Sequence, residues 1–125
     1  MEDVLGAAIL DYYEGHRKHK LWIHNNYGPK EEMPVAVYYR NAVAMPEMER
    51  KALQLCKGKV LDVGCGAGSH SLLLQQMGID VTAIDISAKA VEVAQRRGVH
   101  KCMQADVFNF RHNKFDTLLL LMNGI

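Results

Sequence analysis

The amino-acid sequence predicts an α/β fold in which helices cover a parallel sheet. Apolar runs of strand length alternate with stretches of helical spacing, and this alternation is typical of right-handed strand–helix–strand crossovers. The predicted strands cover 59–63, 79–84, 99–103 and 115–121, and the predicted helices between them cover 69–77 and 88–96. Gly78 and Gly98 each follow a predicted helix, at the position where a left-handed residue commonly ends it.

About 45 residues precede this alternation. Apolar side chains at helical spacing after an acidic start predict a first helix over roughly the first dozen residues, with Gly15 at its end. The segments 21–23 and 35–39 are β-prone and flank the turn-rich stretch 25–29, so we expect them to pair as a hairpin or to form an extended lid.

A second helix is predicted just before the first strand of the sheet. Pro46 is suited to a first helical turn, and apolar residues follow it at helical spacing. We expect this helix to run to about Cys56, with Gly58 as its stop.

Composition narrows the class of protein. The chain of 125 residues has 15 basic and 14 acidic side chains, so its net charge of +1 creates no large field for nucleic acid. Cys56, Cys65 and Cys102 have no metal-ligand spacing and suit a reducing compartment. The longest apolar run, 118–122, is too short for a bilayer, and no targeting peptide is evident, so a cytoplasmic protein is expected.

The most informative segment is Val60-Leu-Asp-Val-Gly-Cys-Gly-Ala-Gly-Ser69, in which a short strand runs into three alternating glycines and a helix. Glycine allows a backbone to approach a ligand where a β-carbon would collide. The helix that begins near Ser69 presents unpaired N–H groups to an anionic group such as a carboxylate. Asp85 ends the second strand about twenty residues later, where a carboxylate can accept hydrogen bonds from both hydroxyls of a ribose.

The segment from Asp62 to Gly68 resembles the first motif of class I S-adenosylmethionine-dependent methyltransferases. The resemblance implies a Rossmann-like sheet of strand order 3-2-1-4, the first four strands of that family's order 3-2-1-4-5-7-6. It also implies that 46–125 is the cofactor-binding first half of the full fold. Because no interdomain linker is visible, we expect residues 1–45, with their helix and hairpin or lid, to form an appendage packed on the same core.

The resemblance further implies S-adenosylmethionine as cofactor, with S-adenosylhomocysteine as product. In that family the first acidic residue and the glycine loop surround the methionine moiety, the second acidic residue binds the ribose, and the third contacts the exocyclic amine of adenine. Carried over residue by residue, the expected binding set is Asp62, Gly64, Cys65, Gly66, Gly68, Asp85, Ile86, Asp106, Val107 and Met122. Ile86 and Val107 would flank the adenine, and Met122 lies in the loop that faces the methyl donor. No catalytic base is assigned.

Other interpretations remain open for several of these residues. A dinucleotide fingerprint, Gly-x-Gly-x-x-Gly, would need a glycine at Ser69, and it is ranked below S-adenosylmethionine. A non-catalytic module that binds the cofactor is a second alternative. Asp106 is also suited to capping a turn, and the helix N-terminus near Cys65 raises the alternative of a reactive thiol.

The N-terminal segment leaves two further alternatives. Tyr38, Tyr39 and Arg40 would either close over the cofactor or pack in the core. His16, His19 and His24 lack companion ligands, so no metal is expected.

The expected partners follow from the same resemblance. The methyl acceptor is unidentified, and a small molecule is favoured because no nucleic-acid module is visible. In strand order 3-2-1-4 the apolar fourth strand, with its leucines at 118–121, forms an edge that invites pairing. We therefore expect self-association through that strand or by exchange of the N-terminal segment.

Overall fold

The computed structural model describes residues 3–15, 21–23, 31–33, 35–39, 45–110 and 114–121, with the backbone alone at 21–23, 31–33 and 37. Its elements in chain order are α1 (Val4–Tyr13), β1 (Leu21–Ile23), β2 (Glu31–Met33), a 3₁₀ turn (Val35–Tyr39), α2 (Glu47–Leu55), β3 (Lys59–Val63), α3 (Ser69–Gln76), β4 (Asp80–Asp85), α4 (Ala88–Arg97), β5 (Cys102–Gln104), a second 3₁₀ turn (Val107–Asn109) and β6 (Thr117–Leu119). Every described helix is too short or too polar to serve as a membrane span.

The sheet is parallel and has the order β5-β4-β3-β6. Counted as the first to fourth predicted strands, this is the order 3-2-1-4, so the predicted fold class is confirmed. The register pairs Val63 with Ile84 and Asp85 with Gln104. The carboxyl ends of β3, β4 and β5 therefore meet at one edge of the sheet.

Two observed strands are shorter than predicted, for local reasons. The strand expected from Val99 begins at Cys102, because the Val99 N–H donates to the Ala94 carbonyl and belongs to the end of α4. The strand expected from Phe115 begins at Thr117, since the Asp116 carboxylate accepts a hydrogen bond from the Lys59 N–H at the start of β3.

Helices α3 and α4 lie on one face of the sheet. Residues 60, 62, 81, 83 and 85 share this face, because paired residues in a parallel register point to the same side. Val60 and Val81 pack there with Leu74 of α3, and Ala83 packs with Val91 and Ala94 of α4. Leu61, Val63 and Ile84 form a separate cluster on the other face. Gly98, with φ of +109°, ends α4 in the left-handed conformation that the sequence predicts.

The N-terminal hairpin differs from the predicted one. Strand β1 pairs in antiparallel register with β2, whereas residues 35–39 form a 3₁₀ turn, so the predicted pairing of 21–23 with 35–39 is wrong. The physical reason is burial: Val35 and Tyr38 both enter one cluster with α1, a spacing of three that suits a helical turn. The predicted turn at 25–29 lies outside the described residues.

The predicted stop of the second helix is also wrong. Helix α2 ends at Leu55, and Cys56 is already extended. Gly58 instead turns the chain into β3 with φ of +64°, and the Asp116 side chain occupies the space that a β-carbon at Gly58 would need.

Helix α1 packs against α4 and is anchored at its first turn. The Asp3 carboxylate caps α1 by accepting a hydrogen bond from the Gly6 N–H at 2.9 Å, and it also accepts one from the Ser87 hydroxyl. A β-carbon at Gly6 would overlap Ser87 Oγ and the Asp3 carboxylate. Gly6 therefore permits the close approach of the two helices.

Gly6→Ala is expected to destabilise the chain by about 1–3 kcal/mol, because the added methyl group collides with Ser87 Oγ and the Asp3 carboxylate. In an ordinary helix interior the same change stabilises by up to about 1 kcal/mol, so the sign is diagnostic. Urea unfolding measures the change in free energy. Val4→Ala, on an exposed position of the same turn, is the control and should stay within about 0.5 kcal/mol. A more stable Gly6→Ala chain would show that α1 does not sit on Ser87.

Candidate functional site

A cavity of about 560 Å³ opens at the carboxyl edge of the sheet. Its wall comes from the ends of β3 and β4, the turn after β5, the start of α4 and the first residues of α1. A volume of this size is ordinary for a site that binds a small molecule or cofactor. In parallel α/β sheets ligands bind outside the carboxyl ends of the strands, which is where this cavity lies.

The loop between β3 and α3 is built on left-handed glycines. Gly64, Gly66 and Gly68 have φ values of +69°, +56° and +84°. A β-carbon at Gly68 would lie 2.7 Å from Val99 Cγ2, so the loop packs closely on the end of α4. Gly64 is part of the described cavity wall, whereas Cys65, Gly66 and Gly68 are not.

Asp85 ties three segments together at the edge of the cavity. Its side chain is only 7% exposed; Oδ2 accepts a hydrogen bond from the Gly66 N–H, and Oδ1 accepts one from the Ser87 N–H, both at 2.9 Å. A carboxylate offers about four acceptor positions, so about two remain for a ligand. Asp85 lines the cavity and also holds the glycine loop against the end of β4.

Asp106 combines the two roles that the sequence left as alternatives. Its Oδ1 accepts a hydrogen bond from the Phe108 N–H at 3.0 Å and so caps the second 3₁₀ turn. It also lines the cavity together with Ile86 and Val107. Within the described ranges Oδ2 accepts no hydrogen bond, so this oxygen remains available to a ligand.

Asp62 lies beneath α3, outside the described wall of the cavity. Its side chain is 2% exposed and accepts a hydrogen bond from the Ser71 hydroxyl at 2.7 Å. Burial raises the pKa of Asp62 from 3.8 to about 7; the hydrogen bonds from Ser71 act in the opposite direction, and the neighbouring Asp85 charge adds to the rise. The structure thus brings Asp85 and Asp106 into one cavity and places Asp62 under the loop that borders it.

Cys65 is a buried thiol packed in the core rather than a reactive one. Its side chain shares a cluster with Cys102. The hydrogen bond with the Cys102 thiol and burial raise the pKa of Cys65. The alternative of a reactive thiol with a lowered pKa is therefore wrong, because the thiol is held away from water and Cys65 fills space in the loop.

Several wall residues have no counterpart in the sequence-based set. Asp3 and Leu5 come from α1, Ser87 and Ala90 from the start of α4, and the exposed Phe108 from the second 3₁₀ turn. In the sequence, Gly6 within the helical pattern of α1 was the one signal that another segment packs closely against this helix.

The cavity wall has an acidic character. Asp3, Asp85 and Asp106 belong to it, and the described wall residues include no lysine, arginine or histidine. Such a wall favours hydroxyl and amine donors or a positive charge, and it disfavours phosphate groups.

The tyrosines of the first 3₁₀ turn are both packed, and Tyr38 also touches the glycine loop. A β-carbon at Gly66 would lie 3.1 Å from the Tyr38 ring, and the Ser69 hydroxyl donates to the Tyr38 carbonyl. Tyr39 stacks on Tyr12 with ring centroids 4.8 Å apart.

The remaining candidates fall outside the described ranges. These are Arg40, Met122 and the histidines His16, His19 and His24. Within those ranges no group of three or more His, Cys, Asp or Glu side chains is placed to hold a metal ion.

Comparisons with known proteins agree with the fold. A family model described as a methyltransferase domain matches residues 61–122. The solved structure of an S-adenosylmethionine-dependent methyltransferase from Bacteroides fragilis, in complex with S-adenosyl-L-homocysteine, superposes with a TM-score of 0.87 and 43% identity. That match covers 98% of this chain and 51% of the other, so the chain spans about half the length of that protein.

Similar proteins of known name include methyltransferases with different named activities. A ubiquinone biosynthesis O-methyltransferase of Xanthomonas oryzae pv. oryzae is 43% identical over 54 residues, which cover 43% of this chain and 23% of that protein. A 23S rRNA (uracil(747)-C(5))-methyltransferase of Pyrococcus horikoshii is 34% identical over 64 residues, 50% of this chain and 16% of that protein. The matched segment is thus a quarter or less of these relatives.

The raised pKa of Asp62 predicts a specific pH dependence of stability. Between the ordinary pKa of 3.8 and the folded value of about 7, the folded chain holds a proton that the unfolded chain has lost. The free energy of unfolding should therefore decrease as pH rises through this window. Asp62→Asn removes this contribution, so the free energy of unfolding of the unsubstituted chain minus that of the Asp62→Asn chain, measured by urea unfolding from pH 4 to pH 8, should decrease with rising pH.

Ser71→Ala is the matched test of the same assignment. It removes the hydrogen bond that stabilises the charged form, so the folded pKa of Asp62 rises and the upper limit of the window should move to higher pH. Parallel pH profiles of the unsubstituted and Asp62→Asn chains would contradict the raised pKa.

Proposed function

Because the chain belongs to the class I S-adenosylmethionine-dependent methyltransferases, we propose that it forms the cofactor-binding part of an enzyme that transfers a methyl group to an acceptor. The observation that carries this proposal is the acidic cavity in which Asp85 and Asp106 face one space beside the glycine loop. The proposed cofactor is S-adenosylmethionine, and the product left in the site is S-adenosylhomocysteine.

Asp85 is proposed to bind the ribose. Two of its acceptor positions are used by the Gly66 and Ser87 N–H groups, and two remain for the two ribose hydroxyls. Because the same carboxylate holds the loop and the ligand, its position is set before the ligand arrives.

Asp106 and its neighbours are proposed to bind the adenine. The unoccupied acceptor Oδ2 suits the exocyclic amine, while Ile86 and Val107 present apolar surface to the ring. Phe108, exposed at the same wall, adds apolar area that sequence reasoning had not assigned.

The glycine loop is proposed to hold the methionine end. Gly64, Gly66 and Gly68 bring the backbone of the loop, with Cys65, close to this part of the ligand. The first turn of α3 presents N–H groups that suit a carboxylate. Asp62 stabilises that turn from beneath α3 by accepting a hydrogen bond from Ser71. Met122 is proposed to contact the cofactor near its methyl group.

The chemistry proposed for the complete enzyme is in-line displacement. When bound, the cofactor supplies a methyl group on a positively charged sulfur. The residues of this chain bind and orient it, and alignment of the reacting atoms alone can contribute a large part of the acceleration. No residue of the chain is assigned as a general base.

The acceptor is proposed to be a small molecule. The balanced charge of the chain creates no field that would gather a nucleic acid, and some similar proteins are named ubiquinone biosynthesis O-methyltransferases.

The dinucleotide-binding and non-catalytic alternatives fit less well. A dinucleotide would place a pyrophosphate beside the carboxylates of Asp3, Asp85 and Asp106. A non-catalytic module would bind the cofactor without transferring its methyl group, unlike the methyltransferases that the chain resembles.

Isothermal titration of the chain with S-adenosylhomocysteine tests the proposal. Asp85→Asn should weaken binding by about 100-fold or more, because the amide NH₂ opposes a backbone N–H and cannot accept a ribose hydroxyl. Asp106→Ala should weaken it by about 10-fold, the effect of one lost hydrogen bond.

Asp80→Asn is the control, since Asp80 lies at the opposite end of β4 and pairs with Lys101. It should bind within about twofold of the unsubstituted chain. Absence of binding to the unsubstituted chain, or stabilisation by nicotinamide dinucleotide instead, would overturn the assignment.

We also propose that the chain self-associates along β6 or by exchange of its N-terminal segment. In the described chain β6 pairs with β3 alone, and Leu118 and Leu120 at this edge are 59% and 46% exposed. An unpaired apolar edge is a template for another strand. Sedimentation equilibrium should show dimers, which Leu118→Lys should reduce if β6 forms the contact and leave unchanged if the N-terminal segment is exchanged. A chain that remains monomeric at high concentration would refute both routes.

A further inference from the structure

Arg97 reaches from the last turn of α4 back to the glycine loop. Its Nη1 donates hydrogen bonds to the Ala67 carbonyl at 2.8 Å and to the Ser69 hydroxyl at 3.0 Å. The guanidinium is half-buried and remains charged, and bonds from a charged donor are the stronger ones. One side chain thus holds two consecutive parts of the turn between β3 and α3.

The contact defines the orientation of one peptide group. The Ala67 carbonyl accepts from Arg97, and the Gly68 N–H of the same peptide donates to the Cys65 carbonyl at 2.9 Å. Rotation of this peptide would break both bonds. Gly68, whose φ is +84°, has no β-carbon to oppose such a rotation, so the two bonds contribute to restricting it.

One face of the guanidinium contacts the N-terminal segment. Arg97 lies over the Tyr39 ring, 4.8 Å from its centroid. Tyr39 in turn stacks on Tyr12 and donates to the Ile9 carbonyl, both in α1. Arg97 therefore links the glycine loop to α1 and the first 3₁₀ turn.

The adjacent Arg96 makes the same kind of contact without reaching the loop. It lies over the Tyr13 ring, 4.9 Å from the centroid, and pairs with Glu14 and Glu92. The two arginines lie in the same helix turn and each covers a tyrosine ring, Tyr13 for Arg96 and Tyr39 for Arg97, but only Arg97 contacts the glycine loop.

We propose that Arg97 is a positioning residue that holds the glycine loop in the form that binds the methionine end of the cofactor. This inference rests on the proposed function, and it assigns Arg97 no contact with the cofactor itself. Its effect should be confined to ligands that have the methionine part, because Asp85 and Asp106 bind adenosine without it.

The test compares two ligands across matched variants. Arg97→Ala should weaken binding of S-adenosylhomocysteine by about 10- to 100-fold, and adenosine binding should change by less than about threefold. Arg97→Lys keeps the charge and should recover part of the loss. Millimolar methylguanidinium should partly restore binding to Arg97→Ala, and Arg96→Ala should bind both ligands as the unsubstituted chain does.

Three results would overturn the inference. Arg97→Ala could bind S-adenosylhomocysteine normally, or it could lose both ligands by the same factor, which would indicate general destabilisation of the fold. If the unsubstituted chain binds neither ligand, the proposed function fails and this inference fails with it. The first two results leave the proposed function standing, so the two failures are distinguishable.

Discussion

The hydrogen bonds of one buried carboxylate organise the edge of the sheet on which the site depends. Asp85 accepts from Gly66 in the loop after β3 and from Ser87 at the start of α4. It therefore joins two crossovers at the point where the strands end. An unpaired carboxylate in this position would be unfavourable because it is shielded from water, and the two N–H donors offset that effect. The hydrogen bond from Gly66 to Asp85 requires the backbone of the loop to approach the end of β4, and glycines permit that approach.

The second buried carboxyl group is that of Asp62, and burial raises its pKa. Asp62 is surrounded by protein and has the Ser71 hydroxyl as its partner, while the charge of Asp85 lies on the same face of the sheet. The negative charge of Asp85 adds to the effect of burial, so both favour the protonated form of Asp62.

The N-terminal segment contributes to the site as well as to the core. Ser87 donates to Asp3 and accepts from the Ala90 N–H, so the first turns of α1 and α4 meet at one hydroxyl group. Ile9 packs against the glycine loop in the same cluster as Ala67. The segment predicted as an appendage thus forms part of the cavity wall and supports the loop from outside.

Local patterns in the chain were enough to define the parallel sheet, its helices and the acidic residues at the strand ends. The spacing of apolar residues and the glycines that end helices are properties of neighbouring residues. For this reason the bounds of β3, α3 and α4 were predicted to within one residue. The position of Asp85 also follows, because a residue that ends a strand must lie at the carboxyl edge.

The tertiary structure alone decided the contacts that join distant segments. Residues 35–39 form a 3₁₀ turn because burial against α1 outweighs their β propensity. Asp3 reaches Ser87 across 84 positions, and Arg97 reaches Ala67 across 30. Such contacts leave no periodic trace in the chain, since they depend on how packed elements approach one another rather than on the residues beside them.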